Sequence, residues 1–278
     1  MSADLTKLWQ TVIASYTKRQ ITNVKDKLPA LSGVAKSFKQ AGMGTYLAGL
    51  WLKDLSYHLM WQADLPFEYK MPTLHQNVAL HPSWSWTSTP HPVKWASRDL
   101  RYATAEVNIL SAGCRVEGMN PLGFVSSGSL KMEARVTEAW FEISNNKLWK
   151  FSDKDCMSRG ALAMGEFWEP IEDRREVIFY PDGYLLEKNF SSPSAMPDER
   201  WLGIKDGDSV TCILMYSVKK LAIQSVNDEH IHWGALVVKP MKGLEDVYQR
   251  IGIVEGSINP HYECGWFDGI EVRVVEIV

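Results

Sequence analysis

The chain has 278 residues, of which 45% are hydrophobic and 23% charged, with a net charge of −3 and an isoelectric point near 6.2. That balance is ordinary for a globular protein long enough to bury a large core, as one large domain or two small ones. No broad positive field exists to draw in phosphate backbones, so nucleic acid is not an expected partner.

In chain order, the first stretch reads as a helix. Leu5, Leu8, Trp9, Val12, Ile13 and Tyr16 recur at helical spacing, with Asp4 placed to cap. A second helix starts near Lys27, with Pro29 in its first turn and Leu28, Leu31, Val34, Ala35 and Phe38 on its apolar stripe. Gly42-Met43-Gly44 stops it. A third is predicted from about Tyr46 to Trp61, with Leu47, Leu50, Trp51, Leu55, His58 and Leu59 on one face. Helices this short must pack on something else.

From Pro66 the character changes. Residues 66–98 are rich in Pro, His, Ser, Thr and Trp, with little periodicity. Beyond Tyr102 the chain reads as strands. Leu130, Met132, Ala134 and Val136 alternate with polar neighbours. "EVIFYPDGYLLEK" reads as strand, turn, strand around Pro181-Asp182-Gly183. "SVTCILMYSV" is an apolar run suited to a strand buried on both faces. "HIHWGALVV" and "IEVRVVEIV" are further β-segments, "GFVSSGSL" (123–130) reads as a hairpin loop, and 189–200 as a mobile loop or linker. The expected fold class is α+β: a helical part over residues 1–65 packed on a mainly antiparallel β-sandwich or barrel-like region over 66–278, as one unit.

The longest apolar stretches, such as Cys212 to Tyr216, fall far short of a bilayer span, so no membrane is expected. The opening Met-Ser-Ala-Asp-Leu-Thr-Lys does not read as a secretory signal. Cys114, Cys156, Cys212 and Cys264 are isolated, with no CxxC pair, which suits thiols in a reducing compartment. The expected location is cytoplasmic, where Asn189-Phe190-Ser191 has no meaning as a glycosylation site.

Four stretches stand in a telling order. They are "YTKRQITNVKDKLPALSGVAKSF" (16–38), "YLAGLWLKDLSYHLMW" (46–61), "HPSWSWTSTPHPVKW" (81–95) and "WGALVVKPMKGLEDVYQRIGIVEGS" (233–257). The series resembles the region downstream of the HET domain in fungal heterokaryon-incompatibility proteins. It covers about the first hundred residues well and the C-terminal quarter moderately. The resemblance begins at the first residues, so the HET domain itself is expected to be missing. Ile21 stands where the family pattern has Leu, Thr87 where it has Ala, and His81-Pro82 where it has Ala-Pro. No catalytic residue comes with the resemblance.

The Trp-rich stretch has two readings. In one, Trp84, Trp86 and Trp95 staple an irregular segment to the core, each N–H bonded to backbone. In the other they wall a pocket for an apolar or conjugated ligand, with His58 and His91 also lining it and His81 and His232 as proton handlers. His230 and His232 would share one side of a strand and could share a metal, but no third ligand is placed, and no metal is expected. Gly42-Met43-Gly44 lacks the strand-loop-helix context of a dinucleotide loop, and neither GxxxxGK[ST] nor GxSxG occurs, so no cofactor is expected.

Two functions follow. The first is an apolar or conjugated small-molecule binder, leaning to a cofactor-independent cyclase or isomerase (pericyclase-type) of fungal secondary metabolism. Orientation in a pocket can supply roughly 7–11 kcal/mol of a barrier. The alternative is a non-enzymatic interaction or regulatory module related to HET proteins.

Overall fold

The computed structural model describes residues 2–19, 21, 23–64, 81–96, 102–142, 147–151, 174–182, 207–220, 230–258 and 265–278. The first two helices form where the spacing puts them. In α1 (Ser2–Thr17), Trp9 and Ile13 are wholly buried, while Leu8 is half exposed. In α2 (Lys27–Phe38), Leu28, Leu31 and Ala35 share the buried face, and Val34 lies outside it. A π-helical turn, Lys39–Met43, follows. Gly42 (φ 94°) and Gly44 (φ 84°) then stop it in a conformation that needs no Cβ clearance.

The expected third helix does not form as one element. Tyr46–Leu47 (β1) and Leu50–Trp51 (β2) make a tight antiparallel hairpin. Ala48 and Gly49 turn it with φ values of 46° and 93°, both positive as a type I′ turn requires. A 3₁₀ turn, Leu52–Asp54, and a four-residue helix, α3 (Leu55–His58), complete the stretch. Short apolar runs read alike in helix and strand, and the Ala-Gly pair decides here. Trp61–Ala63 (β3) then pairs with Val93–Trp95 (β4).

The remaining strands form one nine-stranded sheet: β5 (Ala103–Ala105), β6 (Val107–Val116), β7 (Val125–Glu142), β8 (Lys147–Phe151), β9 (Arg174–Pro181), β10 (Ser209–Lys220), β11 (His230–Pro240), β12 (Val247–Ile258) and β13 (Val272–Ile277). The fold is α+β, and every pairing is antiparallel except β12 with β13. The sheet closes on itself through β7, β10, β11, β12, β9 and β8. The 18 residues of β7 make this possible. Its first half pairs with β6 and β13, and its second half with β10 and β8.

The expected loop at 123–130 instead opens β7; the reversal lies before it, closed by Glu117 N–H donating to the Phe124 carbonyl. Gly128 belongs in the strand because a Cβ there would crowd the Gly113 carbonyl oxygen (2.8 Å) and the Trp84 ring (3.0 Å). Two cores result. Leu130, Met132, Ile213, Met215, Leu236 and Ile253 face the helical part and its tryptophans. Phe141, Phe179, Cys212, Leu214, Val237 and Val254 form the other, with Trp233, Trp266 and Phe267. β10 thus contributes to both cores, as its unbroken apolar run predicts.

Residues 189–200, the strand expected after Gly183, Cys156 and Cys264 lie outside the described residues. Cys114 is a half-buried thiol, and burial pushes it up to about 12. Among the described residues no helix is long and apolar enough to cross a membrane.

Candidate functional site

Residues 81–96 run as a strap between the helical part and the sheet. Trp84 and Trp86 are wholly buried. Trp84 Nε1–H donates to the Gly128 carbonyl (3.4 Å), and Trp86 Nε1–H to that of Gly49 (3.1 Å). Trp9 donates to the same Gly49 oxygen (3.0 Å), and Trp61 to the Trp84 carbonyl (3.0 Å). Gly49 also clears space for Trp86, since a Cβ there would collide with the indole. The Ser85 hydroxyl donates to the Ala48 carbonyl (2.6 Å), and its oxygen caps the 3₁₀ turn Trp86–Ser88 by accepting from Thr87 N–H (3.1 Å).

Two buried cations sit beneath the strap, Lys27 bonding it directly and Arg250 bonding the segments it rests on. Lys27 Nζ donates to the carbonyls of Thr87 (3.2 Å) and Thr89 (2.6 Å), with no paired carboxylate among the described residues. Burial lowers its ammonium to about 8. Arg250, 2% exposed, grips the Asp182 carboxylate through Nε (2.7 Å) and Nη2 (3.0 Å). Its guanidinium also donates to the carbonyls of Leu59 and Trp61 (2.6 Å for the latter) and lies 3.5 Å from the Trp61 ring centre. Burial pushes the Asp182 carboxyl up and the Arg250 guanidinium down, and each charge opposes the shift of the other. The planar bidentate fork is the geometry that makes a buried arginine tolerable. Neither cation was singled out from sequence. A lone Arg inside the apolar run "VYQRIGIV" was the available signal.

The histidines are placed by different elements. His81 is buried edge-on against Phe124 (5.3 Å between ring centres), with neither ring nitrogen hydrogen-bonded. The backbone of Val125 and Val24 approaches the ring without closing a bond. Burial first, and then the Lys27 charge, lower its pKa to about 4. His58 is wholly buried with both nitrogens unpartnered, and burial lowers it to about 4. His91 is buried in the strap, its backbone N–H donating to Thr89 Oγ1 (3.3 Å). His232 is half-buried on β11, opposite Val218 and Ser257, and His230 is exposed. Imidazoles this far below neutrality stay uncharged near pH 7. Among the described residues, no three His, Cys, Asp or Glu side chains gather closely enough to hold a metal ion.

Of the seven residues singled out from sequence, Trp95 borders a recess. It shares the lining with Gln10, Tyr57, Met60, Ala96, Tyr216 and Glu255. The recess leaves about 20 Å³ for the centre of a water-sized sphere. Sequence reasoning missed Gln10, Tyr57, Tyr216 and Glu255 because they come from α1, α3, β10 and β12, which only the fold brings together. No family model, curated protein or solved structure matches the chain.

Proposed function

We propose that the chain is a non-enzymatic interaction module, related in kind to the region downstream of the HET domain in heterokaryon-incompatibility proteins. One observation carries this reading: buried hydrogen bonds tie the four stretches behind the resemblance to one another. Lys27 of the first binds the carbonyls of Thr87 and Thr89 in the third. Ala48 and Gly49 of the second accept from Ser85 and Trp86. Arg250 of the fourth binds the carbonyls of Leu59 and Trp61, and its N–H donates to Ser83 Oγ (3.0 Å). Residues in these roles hold a scaffold together, so the work of the module belongs to its surface.

The catalytic reading needs indole faces open to a guest. Trp84 and Trp86 are 0% exposed, with their N–H groups already bonded. Gel filtration of the chain with a HET-domain protein tests the proposal. Co-elution at a fixed ratio is the expected result; separate elution of both proteins at micromolar concentrations overturns it.

A further inference from the structure

We propose that the recess beside Trp95 binds a methylated ammonium group. This goes beyond the interaction-module reading and asks no chemistry of the site. Three aromatic rings line it, and the polar atom of each is already hydrogen-bonded. Tyr57 OH donates to the Ala103 carbonyl (3.0 Å), Tyr216 OH to Glu255 Oε1 (2.6 Å), and Trp95 Nε1–H to the His58 carbonyl (3.1 Å). What remains for a guest is ring carbon and its π-electrons. Tyr57 and Tyr216 stand 6.0 Å apart at 59°, a corner rather than a stack. Glu255 adds a carboxylate and Met60 a polarisable thioether. Aromatic walls with a nearby anion favour a cation that cannot hydrogen-bond, because a bare ammonium stays with water whereas a methylated one gives up little hydration.

The recess is built into the sheet. A bulge in β10 between Leu214 and Tyr216 shifts the register. It turns Tyr216 from the Leu214 core to the face shared with Ile213 and Met215. Tyr216 then lies across Gly234 of β11, where a Cβ would collide with its ring and sit 2.9 Å from the Met60 methyl. Gly234 is paired with Tyr216 on one side and Glu255 on the other, so one glycine seats both. The free volume, widened by a water radius, corresponds to a sphere of roughly 3 Å radius, comparable with a tetramethylated ammonium. Gln10, only 8% exposed, has no hydrogen-bond partner at Nε2. A choline hydroxyl or a peptide carbonyl next to the cation would accept from it, relieving an unpaired buried donor.

Calorimetric titration of the full chain with choline, and with its neutral carbon isostere 3,3-dimethylbutan-1-ol, tests the site. Saturable choline binding is expected, with the isostere at least about tenfold weaker. Trp95→Ala and Glu255→Gln should each weaken choline by about tenfold or more, while Tyr57→Phe, which keeps the ring, should leave it within about twofold. Absence of saturation, or equal affinity for choline and the isostere, overturns the proposal, and the isostere comparison needs no variant to fold. A trimethyllysine peptide run beside choline separates the sources: whichever binds more tightly shows whether a protein side chain or a free small molecule is read. A failed titration leaves the gel-filtration test of the module reading untouched.

Discussion

The two ends of the strap treat the same residue type in opposite ways. Trp84 and Trp86 are sealed between helical part and sheet, with glycine carbonyls answering their N–H groups. Trp95, a few residues on, is half-buried, bonded to the His58 carbonyl, and open to a recess. The difference lies in what faces each ring. Gly49 and Gly128 supply close approach at the sealed end; Tyr57, Tyr216 and Glu255 supply a partial cage at the other. An indole becomes structural or accessible according to its neighbours, not its own chemistry.

The largest effect should come from breaking the buried ion pair beneath Trp61, whose indole holds the Trp84 carbonyl at the sealed end. Arg250→Met leaves Asp182 uncompensated and two carbonyls without donors, a loss of roughly 3–5 kcal/mol by chemical denaturation. Arg250→Lys should recover only part of that, since an ammonium cannot reproduce the fork. Trp86→Ala opens a cavity beside α1 and should cost about 3–5 kcal/mol by the same measurement.

Next in size is a pH effect at His58. Its folded pKa of about 4 lies below the ordinary imidazole value of 6.5, so the unfolded chain binds the extra proton first as the solution is acidified. Stability is full above about pH 6.5 and falls towards pH 4, by roughly 3 kcal/mol. His58→Leu should make that part of the pH–stability curve shallower, His81 supplying the remaining slope, without lowering the midpoint at pH 7. The smallest effect sharpens the contrast: Trp95→Ala should cost only about 1 kcal/mol while weakening choline by about tenfold or more. Equal destabilisation by Trp86→Ala and Trp95→Ala would erase the distinction between the two ends.

Periodicity made α1, α2 and the long strands legible, because their apolar spacing is that of the face they bury. It misled at 46–61, where Leu47, Leu50 and Leu55 are buried as a helix would bury them but Ala48-Gly49 turns the chain back. Composition pointed to residues 81–96 and to the stapling role of its indoles, which Trp84 and Trp86 fill. It could not reveal the recess. Gln10, Tyr57, Tyr216 and Glu255 lie on four elements, and a register shift beside Met215 sets the ring of Tyr216. The roles of Lys27 and Arg250 were not legible, because sequence does not show which carbonyls will lack a donor.

The Gly49 oxygen, shared by two indoles, has a kinetic corollary. α1 cannot peel away without disturbing the turn that also holds Trp86, so the two should open as one cooperative unit. The indole protons of Trp9 and Trp86 should therefore exchange with deuterium at matching rates, slower than that of Trp95.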